Sequence, residues 1–177
     1  EIINLILKNN DKIFYQKHIT THILDKTNIE WLNQGVNCFL IRDPAKVINS
    51  YVKKNKLNNI SDVGFHQILR LFNHVKNNIS EKIIVLNADL LLEDPNNYLR
   101  KLCNILDISF TDKMLHWEKG KTDDYGIWYK HWYGNIINST GFKKNNYEET
   151  FIDKKFDKIY KNCLEIYNFI DSYSIKL

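Results

Sequence analysis

Apolar residues fall along this chain in two rhythms. Val36–Ile41 (VNCFLI) and Ile83–Leu86 (IIVL) are near-continuous apolar runs, the pattern of strands buried on both faces of a parallel sheet. Ile13-Phe14-Tyr15, within Lys12–Lys17, reads as a further strand. Elsewhere the apolar positions step by three and four. One stripe runs Phe65, Ile68, Leu69, Phe72, Val75, Ile79. A second runs Tyr98, Leu99, Leu102, Cys103, Leu106. A third runs Ile152, Phe156, Ile159, Cys163, Ile166, Ile170. Each predicts a helix with one packing face, and the last places a C-terminal helix over about 151–173. Helix starts are marked as well. Asp43-Pro44 and Asp94-Pro95 each set an N-cap carboxylate before a proline at the first helical position, and the chain has no other proline. Thr27-x-x-Glu30 predicts a capping box opening a short helix through Trp31-Leu32. Strands and helices alternating over short loops imply an α/β domain, a parallel sheet flanked by helices, with 1–177 as a single unit.

Composition narrows the class. The chain has 177 residues, 44% apolar and 13% aromatic, enough for one domain with a real core and too apolar for a disordered tail. No stretch approaches the ~20 apolar residues of a membrane span, and no signal peptide is visible; a cytoplasmic protein is the expectation. The first residue is Glu1 and the one Met is Met114, so the natural start is expected to lie upstream. The net charge is +4, and only three of the 25 basic residues are Arg (Arg42, Arg70, Arg100). A nucleic-acid reader concentrates its basic residues on one face, whereas these lysines are scattered, and no nucleic-acid partner is expected. Cys38, Cys103 and Cys163 lie far apart in apolar runs and read as buried free thiols in a reducing compartment. No CxxC or Cys/His spacing supports a metal.

Ligands of open α/β sheets bind at the carboxyl ends of the strands, which selects Lys17–His22, Arg42–Ser50 and Asn87–Asp89. In FLIRDPAKVINSY (Phe39–Tyr51) a strand delivers Arg42 to a helix N-terminus. Backbone N–H groups, the helix dipole and a bidentate guanidinium there favour an anion, with the Ser50 hydroxyl within two turns. A plain cap beside a surface arginine is the bland alternative. In Tyr15–His22, Lys17 offers an electrostatic clamp, and His18 or His22 a base near neutral pH; a solvated loop is the alternative, and a metal would need a third ligand. Trp117–Lys121, Gly126–Tyr133 and Ser139–Phe142 interleave lysines and aromatics. That pattern suits stacking on a base, or a packed segment with snorkelling lysines. The aromatics at 128–133 equally suit a second copy of the chain in a homo-oligomer. No GxxxxGK[S/T] phosphate loop occurs, and the six glycines are isolated.

Four blocks in order, Tyr15–Leu24, Phe39–Tyr51, Leu86–Pro95 and Tyr125–Phe142, resemble a bacterial sulfotransferase-like family. Its members read roughly YQKHM-x-HHL, FLIRDP…SY, VD-x-x-D-x-L…P and DG-x-W…HWY…STGF. The resemblance implies a three-layer P-loop-type parallel sheet. Its first strand and phosphate loop would precede residue 1, and that strand would lie between Lys12–Lys17 and Val36–Ile41. It implies 3′-phosphoadenosine-5′-phosphosulfate (PAPS) as sulfuryl donor and a hydroxyl of an unidentified small molecule or glycan as acceptor, without a metal. Carried over by motif, Arg42 and Ser50 would bind the 3′-phosphate. Lys17 would steady the transferring oxygens, and His18 or His22 would be the base. Lys119 or Lys121, with Gly126 and Trp128, would match a later loop over the nucleotide. The alternative is a catalytically inactive nucleotide-binding or interaction protein that keeps the fold. A nucleic-acid-binding module is a third reading, whose signature would be steep salt dependence.

Overall fold

A computed structural model of the chain describes residues 13–120, 134–143 and 150–177. Its elements are, in chain order, β1 (Cys38–Ile41), α1 (Pro44–Val52), α2 (Phe65–Asn78), β2 (Ile84–Asn87), α3 (Ala88–Glu93), α4 (Pro95–Leu106), α5 (Gly134–Ile137) and α6 (Asp157–Asp171). Short 3-10 turns lie between them. The chain divides into two compact units, Glu1–Asn87 with Glu149–Ser174, and Ala88–Glu148 with Ile175–Leu177.

In the first unit β1 and β2 pair in parallel, with Cys38 opposite Ile84 and Ile41 opposite Asn87. β2 is buried at all four positions, as a strand covered on both faces must be. β1 alternates instead: Phe39 and Ile41 point inward, while Cys38 and Leu40 face out, Leu40 with 59% of its surface exposed. The sequence run VNCFLI promised burial on both faces, but no layer covers the second face of β1 among the described residues. The strand expected at Lys12–Lys17 does not form over its described residues, and Ile13, Phe14 and Tyr15 are exposed. An extended segment becomes a strand only when its N–H and C=O groups find a ladder, and none pairs with this one among the described residues. The described sheet is therefore two-stranded, where a three-layer P-loop-type sheet was expected.

Local signals set most of the helices. Asp43 accepts a hydrogen bond from the Ala45 N–H at 2.7 Å, with Pro44 opening α1. α2 begins after Gly64, whose φ of 78° lies in the left-handed region. The proposed Thr27 capping box is not made. Ile29 is the N-cap of a 3-10 turn, Glu30–Gln34, and has no side-chain cap. Asn28 acts instead, accepting from the Glu30 N–H at 2.8 Å and donating to its carboxylate at 3.1 Å. The apolar stripe of α2 packs on β1 and β2 through Ile68, Leu71, Phe72 and Val75. Phe72 meets Phe39 edge-on, ring centres 5.5 Å apart; burial of each such side chain contributes roughly 1.5–3 kcal/mol. α6 supplies Cys163 to a second cluster with Ile48, Leu57 and Phe65, and Ile170 to the first. It is shorter than the 151–173 expected, because Asp153 caps a separate 3-10 turn at Lys154–Phe156.

In the second unit Asp94 accepts from the Asn97 N–H at 3.1 Å and Pro95 opens α4, as the sequence predicts. Its stripe buries Tyr98 and Cys103. Beyond α4, residues 115–120 fold back on 134–143. His116 bridges Gly141, the Trp117 N–H donates to Thr140 O at 3.1 Å, and the Gly120 N–H donates to Ile137 O at 2.9 Å.

Candidate functional site

Lys17, His18 and His22, which the sequence singled out together in Tyr15–His22, border one cleft in the first unit. Ile19, Ile23, Thr27 and Trp31 complete its walls, and it encloses about 340 Å³. The 3-10 turn Thr20–His22 positions these groups. The His22 N–H donates to Ile19 O at 2.9 Å and the Ile23 N–H to Thr20 O at 3.0 Å. Buried Ile23 anchors the turn in the core, and the Thr20 hydroxyl donates to Gly64 O at 3.3 Å. Arg70, on α2, donates to the carbonyls of Leu24 at 3.0 Å, Ile23 at 3.2 Å and Asp25 at 3.5 Å.

The two imidazoles differ in their surroundings. The His18 ring lies against Trp31, centres 4.4 Å apart and tilted by 32°. Its Nε2 is 3.1 Å from Gln16 Oε1, an oxygen that accepts from the ring in its Nε2–H tautomer. Among the described residues neither nitrogen of His22 has a hydrogen-bond partner, so a lone pair is available to a ligand in the cleft. With an ammonium and two imidazoles on an apolar wall, the cleft can bind a group bearing a hydroxyl or negative charge and accept a proton from it. Among the described residues no three His, Cys, Asp or Glu side chains are grouped to hold a metal.

Arg42 follows β1 directly and is exposed, with no hydrogen-bond or ion-pair partner among the described residues. Ser50 is exposed in the last turn of α1. Neither lines the cleft. The helix N-terminus is less open than the sequence suggested, because the Asp43 carboxylate already accepts the Ala45 N–H. The exposed guanidinium carries the uncommitted N–H donors at this strand end.

The third strand end is structural. Asn87 is buried, and its amide donates to Tyr167 Oη at 2.8 Å and to Asp171 Oδ1 at 2.7 Å, both on α6. In the second unit Lys119 is exposed; Lys121, Gly126 and Trp128 lie outside the described residues. Trp117 is held within its own unit: its indole N–H donates to the Ser139 hydroxyl at 3.1 Å and its ring meets Phe142 edge-on at 5.4 Å. The Ser139–Phe142 block therefore packs and bonds Trp117. Cys103 and Cys163 are buried free thiols as expected, whereas Cys38 is exposed on the open face of β1. One residue of the cleft and one beneath its turn escaped sequence reasoning. Trp31 read only as helix body, and Arg70 sits among polar residues of α2 with no motif to mark it.

An α/β unit with a basic, imidazole-bearing cleft beside the parallel strands is the setting in which the comparison with known proteins falls. The chain belongs to the sulfotransferase domain family, whose model matches residues 1–174. It is also similar to two proteins of Arabidopsis thaliana. One is "branched-chain-amino-acid aminotransferase-like protein 2", 29% identical over 160 residues, which are 90% of this chain and 28% of that protein. The other is "branched-chain-amino-acid aminotransferase-like protein 1", 29% identical over 163 residues, 92% of this chain and 29% of that protein. The chain thus spans less than a third of the length of these relatives. No solved structure matches it. No helix among the described residues is long and apolar enough to cross a membrane.

Proposed function

We propose that this chain is the acceptor-activating and 3′-phosphate-binding part of a PAPS-dependent sulfotransferase, acting on a hydroxyl of a small molecule or glycan. The observation that carries the reading is the convergence of Lys17, His18 and His22 on one cleft in a chain of the sulfotransferase domain family. The aminotransferase wording of the relatives is not carried over, since the match covers under a third of each.

In this reading His22, whose nitrogens have no partner among the described residues, takes the proton from the acceptor hydroxyl. The acceptor oxygen attacks the sulfur of PAPS and the bond from sulfur to the 5′-phosphate oxygen breaks, leaving adenosine-3′,5′-bisphosphate. Lys17 offsets the charge that grows on the transferring and bridging oxygens. His18, tied to Gln16 and stacked on Trp31, orients the acceptor. Arg42 and Ser50 hold the 3′-phosphate, the guanidinium supplying two parallel N–H donors.

Calorimetric titration of adenosine-3′,5′-bisphosphate into the full chain, beside Arg42→Ala, tests this. Micromolar binding lost in Arg42→Ala supports the assignment and licenses an acceptor screen with PAPS. Absence of binding by the well-folded, full-length protein, with the expected upstream strand and phosphate loop included, removes the PAPS assignment. Binding without transfer to any acceptor selects the inactive nucleotide-binding reading instead.

A further inference from the structure

We infer that Arg70 is a positioning residue for the Lys17/His18/His22 cleft, fixing the turn that carries His22 by gathering the carbonyls of the three residues that follow it. The inference rests on the proposed role of the cleft, and the contacts supply its physical content. The His22 ring makes no hydrogen bond among the described residues. A base that must meet an acceptor hydroxyl within hydrogen-bond reach takes its position from the backbone under it. That backbone is a single 3-10 turn, held internally by the bonds from His22 to Ile19 and from Ile23 to Thr20. One isolated turn has no cooperative stability in water, so external ties must hold it.

α2 provides them. The guanidinium reaches Ile23 O, Leu24 O and Asp25 O at 3.2, 3.0 and 3.5 Å, and Arg70 Nε lies 3.7 Å from the Asp25 carboxylate. Just ahead of the same helix, Gly64 O accepts from the Thr20 hydroxyl on the other side of His22. Both flanks of the turn are therefore referenced to α2, whose apolar face is locked in the core by Phe72 and Val75. Three successive carbonyls need a planar fork of donors, and a lysine ammonium on a flexible stem does not span them.

Hydrogen exchange and histidine NMR on the full chain, with Arg70→Gln and Arg70→Lys, test the inference without an acceptor. In Arg70→Gln the amides of His22 and Ile23 should exchange at least tenfold faster while those of α2 and α6 keep their protection. The backbone 15N signal of His22 should move toward its random-coil position as the turn loosens. Arg70→Lys should behave as Arg70→Gln. Unchanged exchange and an unmoved His22 signal in Arg70→Gln, or full rescue by Arg70→Lys, overturn the inference. If Arg70→Gln does not fold, Thr20→Val provides the second arm: it removes the tie on the other flank and should accelerate the same two amides. Adenosine-3′,5′-bisphosphate binding by the parent chain is measured in parallel. Its absence in the full-length protein, upstream phosphate loop included, removes the PAPS assignment and leaves the Arg70 result separately legible.

Discussion

The Asn87 amide donates to the Asp171 carboxylate at 2.7 Å, tying the carboxyl end of β2 to the last turn of α6. Asn87 stands opposite Ile41 in the parallel register, so the same bond fixes the strand pair that presents Arg42. It also explains why a strand end of the kind that hosts ligands holds none of the proposed chemistry: both donors of the amide serve α6. Asn87→Leu preserves volume and leaves Asp171 without its buried donor. It should lower unfolding free energy by about 1.5–3 kcal/mol, the contribution of a hydrogen bond to a charged group, and leave nucleotide affinity of the folded protein unchanged. Urea denaturation gives the first number and calorimetry the second. A variant as stable as the parent would show the bond to be incidental.

Short-range signals carried much of the fold in the sequence. Asp43-Pro44 and Asp94-Pro95 start helices where they were expected, because a cap needs only residues two or three positions away. The stripes of α2 and α6 were equally plain. What depended on distant partners was not legible. Ile13–Tyr15 has the residues of a strand and no ladder among the described residues, Thr27 lost the cap to Asn28, and Leu40 of β1 is uncovered. In the cleft, Lys17, His18 and His22 were visible by type and spacing. Trp31 and Arg70 were not, since stacking on His18 and gripping carbonyls 45 to 47 residues away leave no local pattern.

Gly64 links the cleft to α2 and tolerates no side chain. Its φ of 78° is left-handed, and a Cβ there would sit 2.5 Å from Thr20 Oγ1. Gly64→Ala should therefore destabilise the protein by roughly 1–3 kcal/mol, combining backbone strain with the displaced hydroxyl. Adding Thr20→Ala should recover part of that loss and no more, because the contact disappears while the dihedral remains. Thermal melts of the two variants decide it; full recovery in the double variant would place the whole cost in the contact.

Burial pushes the Cys163 thiol up to about 12. In the unfolded chain the same thiol ionises near its ordinary value of ~8.5. Above that pH the unfolded state gives up a proton that the folded state keeps, so Cys163 makes stability fall as pH rises toward 12. Cys163→Ala removes this dependence at the expense of a small cavity. The stability gap between parent and variant should thus narrow between pH 8 and pH 11, and denaturation at both pH values reads it. A constant or widening gap would mean that the folded chain ionises Cys163 at least as readily as the unfolded one. At pH 8 an aromatic disulfide reagent should modify exposed Cys38 first and leave buried Cys103 and Cys163 unreacted in the folded state.

The exposed Arg42 guanidinium makes a prediction about which phosphate is read. If it holds the 3′-phosphate, the chain should prefer adenosine-3′,5′-bisphosphate to adenosine-5′-monophosphate, since the two differ by that group alone. A charge-assisted hydrogen bond contributes about 1.5–3 kcal/mol, so the preference should be roughly tenfold to a hundredfold. Arg42→Lys keeps the charge and loses the fork, and should retain only part of the preference. Ser50→Ala, which removes one neutral hydroxyl, should cost less than either Arg42 variant. Asp43, whose carboxylate accepts the Ala45 N–H, competes with an incoming anion at this helix start. Asp43→Asn keeps an acceptor for the cap and removes the negative charge, and should tighten bisphosphate binding. Calorimetry with the two nucleotides against the parent and the four variants, Arg42→Ala included, tests the set. Equal affinity for both nucleotides in the parent, or a preference that survives Arg42→Lys undiminished, would locate the recognised phosphate elsewhere.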